Sequence, residues 1–383
     1  MIPYARHLVD EEDVEAVVKT LRSDWLTTGP VVEIFEEKVA EFVGAKHAVA
    51  VSSGTAALHT AMYGAGIGLG DEVILPPMTF VATANAVLYQ GGTPVFADVD
   101  YDTLLIDPAE VEAKVTSRTK AIVAVDYAGQ PCNYDALRAI ADHHDLVLVA
   151  DACHALGAGY KGKKVGTLAD LNVFSFHPVK HITTGEGGMV VTDDDESAAK
   201  MRRFRNHGIS SDHHYRAKHN TWYYEMVDLG YNYRLTDIQC ALGLSQLRKL
   251  PSWITRRREI AQRYNAFFGS ISELEPLRVS PDVLHAYHLY VIRLDLDRWK
   301  ADRATVFSAL RQEGIGVNVH YIPVHLHPYY RSRFGYRKGQ YPVAEQAYEQ
   351  LISLPIFHGM TDGQFEDVTQ AISKVCECYV ETA

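Results

Sequence analysis

The chain reads as an α/β protein: a large domain built on a mostly parallel, seven-stranded-type sheet flanked by helices, then a smaller α+β C-terminal domain. Three observations predict this. The chain has 383 residues, more than one ordinary core accommodates. Up to Ala150, short apolar runs alternate with helical stretches and no hairpin turn joins them, the pattern of a parallel sheet covered by helices. Beyond Pro251 strands and helices mix irregularly, so residues 1–250 are assigned to the large domain and 251–383 to the small one.

Composition narrows the class. Hydrophobic residues make up 47% and charged residues 22%, the proportions of a soluble globular protein. A net charge of −11 argues against nucleic acid or a membrane surface as partner. Cys132, Cys153, Cys240, Cys376 and Cys378 form no Cys-x-x-Cys pair, so a reducing cytoplasm is the expected compartment. The first residues carry no apolar signal-peptide core, and no run is long enough to span a membrane. His143-His144, His213-His214 and the Pro-interrupted His320, His325, His327 lack metal-ligand spacing, so no metal is expected.

The elements follow in order. Residues 10–22 form a helix with an acidic first turn, which the helix dipole favours. A loop over 23–30 leads to a helix from Val32 to Val43, stopped by Gly44. His47 to Val51 is a buried strand, Ser52-Ser53-Gly54-Thr55 a turn, and Ala56 to Tyr63 a helix. Strand, Ser/Gly/Thr turn and helix N-terminus make an anion site, because free N–H groups and the dipole converge there; a plain Ser N-cap is the alternative. The glycines from Gly64 to Gly70 precede a strand (Glu72 to Leu75) rather than follow one, so they are a connection and not a dinucleotide loop.

Helices are expected over Val81–Gln90, Pro108–Val115 and Tyr134–His144, and strands over Pro94–Val99, Thr119–Val125 and Leu146–Ala150. Asp151 ends the last of these, where ligands sit in open α/β sheets, although an N-capping aspartate would read the same. Strand, tight loop and strand fill 171–192, with Lys180 in the loop. A desolvated lysine there has a lowered pKa and a nucleophilic amine. Residues 208–225 read as a polar, aromatic loop containing His213 and His214. A helix from Thr236 is expected to be interrupted at Pro251 and to resume from Ser252 to Phe268. Strands over 287–294 and 317–321 and helices over 302–313, 341–351 and 362–379 complete the chain.

A helix-start anion site at 52–56, an aromatic at Phe80, a strand-end Asp151 and a loop Lys180 with Ser175 nearby together suit pyridoxal 5'-phosphate. The cofactor needs a lysine to hold it, a carboxylate to keep its pyridine nitrogen protonated, and donors for its phosphate.

The chain also resembles a family along essentially its whole length: the nucleotide-sugar aminotransferases of the DegT/StrS type, with the aspartate-aminotransferase fold (pyridoxal-phosphate-dependent transferase fold type I). The carriers are Ser52-Ser53-Gly54-Thr55-Ala56-Ala57-Leu58, Met78-Thr79-Phe80-Val81-Ala82-Thr83, Asp151-Ala152-Cys153-His154-Ala155, Phe174-Ser175-Phe176-His177-Pro178-Val179-Lys180 and Gly230-Tyr231-Asn232-Tyr233-Arg234. Within it, Ile2-Pro3-Tyr4, Asp24 to Pro30, His177 to Lys180 and His320 to Val324 are similar to transaminases of the pseudaminic acid pathway. The resemblance implies Lys180 as Schiff-base lysine and proton shuttle, Asp151 on the pyridine nitrogen, and His154 near the ring hydroxyl. It implies Gly54, Thr55 and Ser175 on the phosphate, Phe80 stacked on the ring, and Asn232 reaching the phosphate of a neighbouring subunit in a homodimer with shared active sites. Tyr4, Leu26, Thr27, Thr28 and Gly29, with His320, Tyr321, Ile322 and Pro323, would line the sugar-nucleotide site.

The implied reaction is ping-pong transfer of an amino group from L-glutamate to C4 of a UDP-linked 4-keto-6-deoxy-N-acetylhexosamine. A UDP-4-keto-arabinose aminotransferase is the near alternative, since its lysine loop is similar. From other classes, a lyase or desulfurase on the same fold and a non-catalytic sugar-nucleotide sensor remain; the latter has no need of Lys180 and Asp151.

Overall fold

The computed structural model describes residues 1–211, 216 and 218–381; His213 and His214 of the expected loop lie outside the described residues. Strands β1 (His47–Val51), β2 (Glu72–Leu75), β3 (Thr93–Phe96), β4 (Thr119–Val125), β5 (Val147–Asp151), β6 (Gly159–Tyr160), β7 (Lys163–Lys164), β8 (Leu171–Ser175) and β9 (Gly188–Thr192) lie in the first half of the chain. Seven of them form the large sheet, in the order β1-β9-β8-β5-β4-β2-β3. β9 pairs antiparallel with both β8 and β1, and the remaining pairings are parallel. β2 and β9 are buried along their whole length, as a sheet covered on both faces requires.

Helices begin where the sequence supplies caps. Asp10 makes a capping box with Asp13 ahead of Glu11–Leu21. Ser53 caps Gly54–Gly64, Asn133 caps Tyr134–His144, and Gly44 ends Pro30–Val43 in the left-handed conformation. Asp194 caps Asp195–Phe204, a helix that the sequence reading passed over although it opens on acidic residues.

The expected break at Pro251 does not occur. One 32-residue helix runs from Asp237 to Phe268 with Pro251 inside it. Leu247 and Leu250 before the proline and Ile254 and Arg257 after it are all buried on the rest of the molecule, and that packing outweighs the lost backbone bond. The expected strand over 317–321 is likewise absent: Asn318 makes a single bridge to Ser353, and no ladder continues from it. The C-terminal sheet instead consists of β10 (Leu274–Pro276), β12 (Tyr290–Leu294) and β13 (Leu351–Leu354), all antiparallel. β11 (Val283–Leu284) reaches back to pair with β6. The segment around His325 also holds a short helix, Pro328–Phe334, with proline in its first turn. Among the described residues no helix is long and apolar enough to cross a membrane.

Arg257 locks the long helix to the chain around it. It is 1% exposed, and its guanidinium donates to the carbonyls of Tyr287 and Ile356, each at 3.0 Å. Replacing it strands buried acceptors. Arg257→Met is expected to lower stability by about 3 kcal/mol, read as a lower denaturation midpoint with cofactor absent; an unchanged midpoint would sink this account.

Candidate active site

The expected site residues converge beyond the carboxyl end of β5. Asp151 is buried there; its Oδ2 accepts the Thr83 hydroxyl at 2.7 Å and its Oδ1 the N–H of Cys153 at 3.3 Å. Thr83 stands in the first turn of helix Val81–Tyr89, and its hydroxyl also meets that of Thr79 at 2.8 Å. A buried carboxylate must be partnered, and these bonds fix its orientation.

Next to it is the anion cradle. The Ser53 side chain accepts the N–H of Ala56 at 3.0 Å, and the first full helical bond runs from Ala57 to Ser53. The N–H groups of Gly54 and Thr55 precede that bond and are available to an anion. A Cβ at Gly54 would stand 2.8 Å from both Cβ and Oγ of Ser175, so glycine is what lets helix and strand close here.

The lysine loop is tied down at several points. Lys180 N–H donates to the His177 carbonyl at 2.8 Å, and Phe176 N–H to Gly187 at 2.9 Å. The Thr183 N–H donates to the side chain of Gln246, on the long helix, at 3.0 Å. Lys180 itself is half-buried on the cavity wall. Burial lowers its pKa, and the fields of Cys153 and Asp151 only partly oppose this.

Tyr4 and residues 318–321 line the same cavity as Lys180. The Tyr321 hydroxyl lies 3.1 Å from His154 Nε2, with the rings stacked at 6.1 Å. His154 Nδ1 is buried without a partner, and burial, reinforced by Lys180, holds its pKa well below the usual imidazole value. Phe80 is 57% exposed over the opening, its ring 6.0 Å from Tyr321. Cys153 also lines the cavity, but burial pushes its thiol well above the usual value, which does not suit the thiolate of a desulfurase.

The resulting cavity, about 620 Å³, brings together Tyr4, Gly54, Thr55, Phe80, Asp151, His154, Ser175, Lys180, His320 and Tyr321. Other expected residues lie elsewhere in the protomer. Leu26 and Ile322 are exposed, and Pro323 is not on the cavity wall. Thr27, Thr28 and Gly29 line a separate cavity of about 360 Å³ that also holds Arg202, Arg203, Arg205, Arg216 and Arg234. Buried Asp237 anchors this loop by accepting Gly29 N–H at 2.7 Å and Val31 N–H at 2.9 Å. Asn232 is exposed and bridges to Asn206.

Sequence reasoning missed Thr83, Asn318 and Gln246 as supporting residues. Thr79 and Thr83 at helical spacing were a usable signal, as was the alternation of Asn318 with His320.

This donor set fits pyridoxal 5'-phosphate. The glycine cradle would take the phosphate, Asp151 a protonated pyridine nitrogen, Lys180 the carbonyl carbon, and the orphaned His154 nitrogen a polar group of the ring.

Comparisons with known proteins agree. A model of the DegT/DnrJ/EryC1/StrS aminotransferase family matches residues 7–373. The spore coat polysaccharide biosynthesis protein SpsC of Bacillus subtilis (strain 168) is 46% identical over 376 residues, 98% of this chain and 97% of that protein. Helicobacter pylori PseC, an aminotransferase involved in the biosynthesis of pseudoaminic acid, superposes with a TM-score of 0.91 at 36% identity, covering 98% of this chain and 99% of that one. The PLP-form of Spr1654 from Streptococcus pneumoniae gives a TM-score of 0.91 at 33% identity, again over 98% and 99%.

Lys180→Ala is expected to abolish turnover and the borohydride-reducible cofactor adduct while leaving the fold intact. In the wild-type apoenzyme, cofactor capture should quicken as pH rises and the ammonium loses its proton. Because burial lowers the pKa, the midpoint of that rise should fall below the 10.5 of an ordinary lysine. Stopped-flow absorbance checks this, and a midpoint at or above the ordinary value refutes it.

Proposed function

We propose that this chain, which belongs to the DegT/DnrJ/EryC1/StrS aminotransferase family and is a pyridoxal-phosphate-dependent sugar aminotransferase, transfers an amino group from L-glutamate to C4 of a UDP-linked 4-keto-6-deoxy-N-acetylhexosamine. The product is a UDP-4-amino sugar of the pseudaminic acid type, made in the cytoplasm. The observation that carries this reading is the wall of Tyr4, Asn318, His320 and Tyr321 in the cavity of Lys180. It is polar but uncharged: burial, with Lys180, lowers the His320 pKa to about 4, and burial raises those of Tyr4 and Tyr321. Such a wall suits hydroxyl and carbonyl groups of a sugar. The similarity to PseC supports the same choice.

Pyridoxal phosphate, when bound, supplies an electron sink for charge developing at the Cα of the amino donor. Gly54, Thr55 and Ser175 would hold its phosphate, and Asp151, locked by Thr83, its pyridine nitrogen. Neutral His154 and the exposed ring of Phe80 would flank it. Lys180 takes the proton from the glutamate Cα, and in the return half-reaction it delivers one to C4 of the sugar. Its lowered pKa enlarges the free-amine fraction that performs the first task.

The working form in this proposal is a homodimer with shared sites. Trp222 is 84% exposed and Leu229 69%, beside exposed Tyr223, Tyr224, Met226 and Tyr231. An apolar, aromatic surface of this kind calls for a cover. Asn232 and the Leu26–Gly29 loop, both off the wall of their own cavity, would complete the partner's site.

Two measurements test this. In a panel of UDP- and dTDP-4-ketosugars scored by mass for oxygen replaced by NH₂, the UDP-linked 4-keto-6-deoxy-N-acetylhexosamine should have the highest kcat/KM. A much higher value for the UDP-4-keto pentose would transfer the assignment to the arabinose type. Separately, inactive Lys180→Ala and impaired Asn232→Ala should complement when mixed and refolded, recovering at most about half the activity on symmetry grounds. No recovery in verified heterodimers would show that Asn232 serves its own subunit.

A further inference from the structure

The cavity wall of Tyr4 and residues 318–321 contains a run of hydrogen bonds whose polarity follows from the groups in it. The side-chain carbonyl of Asn318 accepts the N–H of Val319 at 2.8 Å, which fixes the amide and leaves its NH₂ for other partners. That nitrogen lies 3.3 Å from Nε2 of His320. An amide nitrogen only donates, so His320 Nε2 must offer its lone pair.

A neutral imidazole carries one proton, which then sits on Nδ1, 2.8 Å from the Ser353 hydroxyl. Ser353 is fully buried, and its backbone exchanges two hydrogen bonds with that of Asn318, at 2.8 and 3.2 Å. The same bridge therefore holds both partners of the ring. His320 stays neutral, because burial and then Lys180 lower its pKa to about 4. Its other titratable neighbours are uncharged at neutral pH: the Tyr4 and Tyr321 rings at 5.4 and 4.9 Å, His154, and Tyr127, whose hydroxyl donates to the His320 carbonyl.

We infer that Asn318 is a positioning and specificity residue: with Ser353 it fixes His320 as the Nδ1–H tautomer and holds that neutral ring beside Tyr4 and Tyr321, so that this side of the cavity selects an uncharged polar group of the substrate. The identity of that group rests on the proposed sugar amination; the tautomer and the polarity rest on these side chains alone.

The first test needs no substrate and no altered wall. In wild-type holoenzyme with nitrogen-15-labelled histidine, His320, assigned by its loss in His320→Gln, should show a protonated Nδ1 and a bare Nε2 at neutral pH. An Nε2–H or cationic ring overturns the inference. Asn318→Asp then reverses the polarity, since its carboxylate accepts from His320. The ring should switch to Nε2–H and its pKa should rise from about 4.

The KM for the UDP-linked 4-keto-6-deoxy-N-acetylhexosamine should rise by roughly tenfold, the worth of one hydrogen bond. Bleaching of the bound cofactor by glutamate should slow by a clearly smaller factor. A switched tautomer with an unchanged KM overturns the specificity role, and an unswitched tautomer overturns the positioning role. If Asn318→Asp does not fold, the wild-type spectrum decides alone. If the wild type shows the Nδ1–H ring yet aminates no ketosugar, the substrate reading fails while the tautomer assignment is upheld.

Discussion

A carboxylate taken out of water must find partners, and Asp151 is where that demand shapes the molecule. It ends β5 near the middle of the large sheet, between β4 and β8. One of its partners comes from a different crossover: Thr83 arrives on the helix that follows β2. The parallel arrangement makes this meeting possible, because it gathers strand ends and helix starts on one edge of the sheet. One strand away, Asp126 donates its N–H to the Asp151 carbonyl at 3.1 Å. Its carboxyl accepts Cys132 N–H and the Tyr134 hydroxyl, each at 3.0 Å. Burial, with the field of Asp151, pushes its pKa up to about 7. Two carboxyl groups thus sit at neighbouring strand ends, and one of them readily gives up its charge.

The lysine loop is a second consequence of sheet order. Because β9 runs against β8, the chain must turn back at the sheet's carboxyl edge, and Lys180 is carried there in a tight connection. Gln246 extends the bracing outward. It accepts from Thr183 and donates to the Leu8 carbonyl at 2.9 Å and to Asp13 at 3.1 Å. The loop, the long helix and the N-terminal segment that carries Tyr4 are therefore one connected support.

The C-terminal half supplies residues 318–321 to the cavity and is tied back to the segment that follows β4. Ala286 N–H donates to Gly129 at 2.9 Å, and Leu289 N–H to Ala128 at 3.1 Å. Gly129 has φ +100°, and a Cβ on it would stand 2.7 Å from the His154 carbonyl, so the contact exists only because glycine is there. Arg257 anchors the same segment from beneath through Tyr287. The 318–321 wall is held separately, by the paired backbone hydrogen bonds of Asn318 and Ser353 at 3.2 and 2.8 Å.

By itself the sequence determined the fold class and the cofactor. Apolar runs alternating with capped helices specify a covered parallel sheet, because those signals are local. Lys180, Asp151, Gly54 and Ser175 could be picked out because cofactor chemistry demands those residue types at strand ends and helix starts. Local signals failed at Pro251, where packing on both sides carries the helix through, and at 317–321, where a β-like alternation yields one bridge to Ser353. The tertiary structure alone decided which side chains share a cavity. Tyr4 and His320 stand far apart in the chain yet have ring centroids 5.4 Å apart, whereas the Thr27–Gly29 loop, only a few turns of chain beyond Tyr4, lines a different cavity. It also decided that Thr83 serves Asp151 and that Ser353 serves His320. Those partnerships join separate elements, so their energy depends on how the elements pack and leaves no periodic trace in the sequence.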